Sequence, residues 1–277
     1  MPSPAPASST HSTSRSATPM PAAFIGHGTP MNALVDNRYT RAWREFGDSL
    51  PRPRAILMVS AHWYTRGTAV TAMPAPSTIH DFYGFPDELF AVRYDAPGLP
   101  DLADQVAEIA KPRHVGADHG GWGLDHGAWS VLVHAFPDAT IPVVQLSVDA
   151  SMAHDEHLAL GAALAPLRED DVLIIGSGNI VHNLSAMNPR AGDAGYDWAR
   201  RFDDAARAHL LEQPTEVAEL AGHPDFAAAA PTPDHYLPML YVAGLAGTEP
   251  LQPLVDGYEF GSLSMSSYTL GLQKAAV

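Results

Sequence analysis

Three apolar runs in this chain each deliver a histidine within a few residues of their end. "AAFI" (22–25) leads into Gly26-His27-Gly28, "AILMVS" (55–60) into Ala61-His62, and "DVLIIGSGN" (171–179) into Ile180-Val181-His182. Neutral imidazole is a good ligand for Fe(II), Zn(II) and Cu(II), and it exchanges protons near neutral pH. Two further histidines stand in different contexts. His235, in "PTPDHYLPML", occupies a Pro-bounded turn before an apolar helix, and His126, in "GWGLDHGAWS", lies in a Gly- and Trp-rich loop that opens a helix. A single histidine at a strand end is usually structural. Three of them point to a shared site, because ligands of an open α/β sheet bind beyond the carboxyl ends of its strands.

Other reactive patterns carry less. His154 and His157 are three residues apart on a helix, close enough to hold one ion. However, "HDEH" lacks the i+4 partner of a zincin helix, and a solvated helix face accounts for it better. Ser177 in "IGSGN" has no G-x-S-x-G context, so it is not read as a nucleophile. The same "GSG" meets neither the dinucleotide nor the Walker spacing.

The elements that must position these histidines follow from hydrophobic patterning. The runs at 22–25, 55–60, 141–148 ("IPVVQLSV") and 171–179 are continuous rather than alternating, which suits strands buried on both faces of a parallel or mixed sheet. Helical patterns lie between them at Asp36–Ser49, Asp101–Ala110, 154–168 and Trp198–Leu211. This alternation predicts an α/β fold: one domain with a central mixed, largely parallel sheet flanked by helices, and a metal site at the strand carboxyl ends. Long Pro-bearing loops at 74–86, 95–100 and 224–238 are where a ligand would be held.

Composition narrows the function classes. At 277 residues and 46% hydrophobic the chain can bury a large core, and no repeat or linker divides it after residue 21. Cysteine is absent, which rules out disulfides and thiolate ligands and fits a reducing cytoplasm. No apolar run reaches membrane-spanning length. A formal charge of −15 argues against nucleic acid and anionic membrane surfaces as partners. Residues 1–20, "MPSPAPASSTHSTSRSATPM", are too poor in large apolar side chains to offset their ordering entropy, so a disordered tail is expected there and the catalytic domain over 21–277.

Five longer segments resemble the class III extradiol ring-cleavage dioxygenases. They are "FIGHGTPMNAL" (24–34), "SAHWYTRGTAVTAMPAPSTIHDFYGFP" (60–86), "GWGLDHGAWSVL" (121–132), "GSGNIVHNL" (176–184) and "TPDHYLPMLYVAG" (232–244). The likeness is to the 4,5-DOPA extradiol dioxygenase branch in particular, related to the catalytic subunit of protocatechuate 4,5-dioxygenase, and it runs from about residue 21 to the end. The resemblance implies metal ligation by His27 and His62. It places His182 as the active-site base, described in this branch also as a zinc ligand. His235 matches a further metal-site histidine, and His126 a second histidine that touches substrate or oxygen. Better-studied relatives complete two histidines with a glutamate. No glutamate here stands in a matching motif; the nearby carboxylates are Asp234 and Glu259.

On this reading the working cofactor is Fe(II), and Zn(II), which stands above Fe(II) in the affinity order, would occupy the same imidazole-rich site. A catechol and O2 are the expected substrates. Metal binding lowers the pKa of the first catechol hydroxyl, and His182 takes the second proton as general base. The expected product is a ring-opened semialdehyde. Trp63, Phe82, Tyr83 and Trp129 are candidates for an aromatic lining, or equally for core. Two rival functions use the same histidines: a zinc hydrolase working through a metal hydroxide, and a metal-binding protein without enzymatic activity.

Overall fold

Runs such as Val172–Gly178, with no polar side chain until Ser177, can only be strands if both of their faces are covered. The computed structural model, which describes residues 18–272, covers them with helices on each side. The strands are β1 (Ala22–Gly26), β2 (Ala55–Thr65), β3 (Thr68–Thr71), β4 (Val115–Asp118), β5 (Val143–Asp149), β6 (Val172–Gly178), β7 (Gln252–Val255), β8 (Tyr258–Glu259), β9 (Leu263–Ser264) and β10 (Ser267–Leu270). Eight of them form one sheet in the order β4-β3-β5-β2-β6-β1-β10-β7, with β8 and β9 pairing apart from it. The central block β5-β2-β6-β1 is parallel, and β3–β5, β1–β10 and β10–β7 are antiparallel. This is the mixed, largely parallel sheet expected from the sequence.

Alternate residues of each strand feed two separate cores, as the period of two requires. Phe24, Leu57 and Ile174 point to one face, beneath the helices Pro100–Ile109, His154–Ala163, Asp197–Glu212 and Leu237–Ala246. Ile25, Met58 and Ile175 point to the other, beneath Arg38–Ser49 and His126–Ala135. Helix starts are fixed by side chains that satisfy orphan backbone donors. Asn37 accepts from Tyr39 N and Thr40 N, and Asp125 accepts from Ala128 N, which sets His126 at the first turn of its helix.

The segment expected to be one helix over 154–168 is two, His154–Ala163 and Pro166–Glu169, because Pro166 has no N–H to continue the first. Residues 1–17 of the expected tail lie outside the described residues. Met20 does not: it is buried, its N–H donates to Arg168 O, and its carbonyl accepts from Arg168 Nε. Among the described residues no helix is long and apolar enough to cross a membrane.

Candidate metal centre

His27 follows β1 directly and extends its pairing with β6, its N–H donating to Gly178 O. Gly28 beside it has φ +62, and a Cβ there would lie 2.5 Å from the Glu259 carboxylate and from Met265 Sδ, so only glycine lets the chain turn here. The His27 ring is fully buried, with Nδ1 3.0 Å from Ser177 Oγ. Ser177 gives its one proton to Gly127 O. The hydroxyl must therefore accept from His27 Nδ1–H, which leaves Nε2 of His27 as a bare lone pair.

His62 is aimed by an irregularity in β2. Pairing with β5 passes from Val59–Leu146 to Tyr64–Val148, so Ser60–Trp63 bulge against a single residue of β5 while Ser60 still pairs with β6. The bulge turns His62 inward. Its Nδ1 lies 3.2 Å from Asp81 Oδ2, and its Nε2 lies 3.1 Å from Nε2 of His27. Two nitrogens about 2.1 Å from one shared ion adopt a separation of this size.

His235 comes from the turn Pro233–His235, seated on the end of β6: Asn179 N–H donates to His235 O, and a Cβ at Gly178 would fall 2.1 Å from that oxygen. Its Nδ1 is bound to the Asp234 carboxylate, and its Nε2 is buried with no hydrogen-bond partner. A buried polar atom without a partner is costly, and a cation in front of it removes the cost.

All three imidazoles thus repeat one arrangement: Nδ1 donates to an oxygen and Nε2 is left free toward a common centre. Second acceptors of this kind fix tautomer and ring direction in metal-binding histidines. Among the described residues, two trios have ligand atoms within 4.8 Å of one another: His27–His62–His235, and His62–Asp81–His126. Hydrogen bonds already account for the second trio, since Asp81 accepts from both rings. The first holds the atom that nothing accounts for. The donor set fits a metal ion such as Zn(II) or Fe(II).

Electrostatics set the protonation of the rings one by one. Burial, then the neighbouring imidazoles, pushes His27 and His235 well below the usual histidine range, so both are neutral. Burial also works to lower His62, but the Asp81 hydrogen bond and the charges of Asp125, Asp81 and Asp234 outweigh it and raise its pKa. His126 is lowered, chiefly by burial and by His62. Burial favours the protonated form of Asp81, yet its bonds to His126 and His62 hold it well below the usual carboxylate range.

The remaining expected residues fall around this centre. His182 is outside the trio; four residues beyond β6, its ring lies flat on His235 with centroids 3.5 Å apart, and burial lowers its pKa to about 4. His126 lies 3.7 Å from His62, centroid to centroid. Glu259 accepts from Thr29 N–H and the Asn32 amide, and Asp234 holds His235, so neither carboxylate joins the trio. Phe82 stands 5.5 Å from the His126 ring, whereas Tyr83 is 92% exposed, Trp63 is buried against Trp122, and Trp129 is buried with its N–H on Ile79 O. His154 and His157 bind different partners, Ala218 O and Tyr241 OH. Sequence reasoning passed over Asp81, which sits in a loop with no strand end to mark it, and the support that Ser177 gives His27.

A family model described as the catalytic LigB subunit of aromatic ring-opening dioxygenase matches residues 21–277. A 4,5-DOPA dioxygenase extradiol of Escherichia coli K12 is 49% identical over 92% of this chain and 96% of its own length. One from Beta vulgaris is 37% identical over 88% and 94%. The crystal structure of an uncharacterized protein from Escherichia coli K12 superposes with a TM-score of 0.80 at 44% identity, covering 91% of this chain and 99% of that one.

Proposed function

The chain belongs to the LigB family of catalytic subunits of aromatic ring-opening dioxygenases and is an extradiol ring-cleavage enzyme; from that premise we propose which residues do the work and on what substrate. His27, His62 and His235 would hold a non-haem metal through their Nε2 atoms. The observation that carries this is the orphaned Nε2 of His235 facing two further free imidazole nitrogens. Bound there, Fe(II) would lower the pKa of a catechol hydroxyl and give electrons to O2, which Zn(II) cannot do; zinc would occupy the same nitrogens without turnover.

His182, flat against His235 and neutral, is placed to take a catechol proton as general base. His126, oriented by Asp81 through Nδ1, presents its other nitrogen as a second acid–base group. Phe82 offers an aromatic face beside His126 for the ring of the substrate. The relatives' names support a DOPA-like catechol, and they favour ring opening over the hydrolytic and non-enzymatic readings. The reading extends to a cytoplasmic location, where iron is kept ferrous. Anaerobic loading with Fe(II), followed by L-DOPA and O2, should consume oxygen and give a yellow ring-fission product, with the zinc-loaded protein silent. No product from L-DOPA or any simple catechol would remove this substrate class.

A further inference from the structure

Among the described residues, Asp81 is the side chain whose carboxylate bonds to both the trios' shared histidine and the second acid–base group. Its backbone runs along the surface in the loop between β3 and the helix Asp87–Phe90, but its side chain turns inward and is 16% exposed. Oδ2 lies 3.2 Å from His62 Nδ1. Oδ1 lies 3.0 Å from His126 Nδ1 and 2.9 Å from His126 N. An ionised carboxylate only accepts, so both rings must present Nδ1–H to it and turn their Nε2 atoms away from it. His62 Nε2 is thereby committed to the metal trio, and His126 Nε2 to the space beyond the ring.

We propose that Asp81 is the positioning residue that locks the tautomers of His62 and His126 together, so that one carboxylate sets both the metal-facing nitrogen and the acid–base nitrogen. This rests on the assignment of His62 as a ligand and of His126 as a group facing the reactants. Asparagine at this position keeps the shape but offers one acceptor and one donor, so it cannot receive both Nδ1–H groups.

The test combines metal affinity with turnover. In Asp81→Asn, Co(II) and Zn(II) affinity measured by competition with a chromophoric chelator should fall about 10–100-fold, the usual effect of losing a ligand's outer partner. With iron saturating, kcat should fall at least about tenfold while KM moves little. Asp81→Glu, which keeps two acceptors, should recover part of both. In a cycle with His126→Ala, the double variant should lose less kcat than the product of the single losses, because residues in one hydrogen-bonded network do not act independently. Should Asp81→Asn fail to fold, Asp81→Glu and Asp81→Ser carry the same comparison. Metal affinity and kcat within twofold of wild type, or losses that simply multiply with His126→Ala, would overturn the proposal. If His62→Ala retains its metal, the ligand assignment itself has failed and the proposal falls with it. Loss of metal in His62→Ala beside an unaffected Asp81→Asn overturns the role of Asp81 alone.

Discussion

At the scale of single residues, the distinction that matters is between a nitrogen aimed at the centre and a ring that lies beside it. Elemental analysis should find His27→Ala, His62→Ala and His235→Ala stripped of metal, because each removes one of three converging Nε2 atoms. His182→Ala should keep its metal and lose turnover by about 10²–10⁴-fold, as expected of a missing acid–base group. Metal loss in His182→Ala would show that its ring swings into the trio. The convergence of His27 and His62 was legible in the sequence, since strand ends announced both. The same signal grouped His182 with them. The three residues between Gly178 and His182 explain why it stands apart: they carry the ring off the strand axis and onto His235. His235 was legible only through resemblance, because a Pro-bounded turn has no periodicity that says where it folds back. Asp81 had neither kind of mark, and its role exists only through the two rings it joins.

At the scale of elements, the central strands were legible because their apolar runs are continuous, while β3, β4 and β7–β10 are too short to show a pattern. The extension of β2 past Ser60 was hidden for another reason: "AHWYT" loses apolar continuity where the bulge begins, though the backbone stays extended. Helix packing offers a stability test away from the metal centre. The helices His154–Ala163 and Leu237–Ala246 approach so closely that a Cβ at Gly161 would lie 2.2 Å from Tyr241 O. Between them His157 is buried with Nδ1 3.1 Å from Tyr241 OH, and burial lowers its pKa to about 4. Its folded pKa is depressed below an unfolded value of about 6.5, so its contribution is fully present above that pH and is lost as pH falls toward 4. Between pH 7 and pH 5 this amounts to about 2 kcal/mol. Urea melts at the two pH values should show His157→Phe losing less stability on acidification than wild type by about that amount. Equal losses would mean that the folded protein does not depress the His157 pKa.

At the scale of the whole molecule, the boundary between tail and domain can be tested by truncation. Removing residues 1–17, whose composition offers little to bury, should leave the melting temperature within about a degree. Removing residues through Met20 deletes a buried side chain worth about 2 kcal/mol and both hydrogen bonds to Arg168. The midpoint should then fall by about 4–8 °C, as scanning calorimetry would show; indistinguishable truncations would mean that Met20 contributes nothing to the fold. The same long-range closure governs the metal trio, whose members come from residues 27, 62 and 235. On the ribosome, His27 and His62 emerge long before His235, so no growing chain owns the complete cage. Loading must follow the return of the last third of the polypeptide to the end of β6. Under the proposed ligand set, filling the cage is therefore a late event in the life of each chain and cannot guide its synthesis.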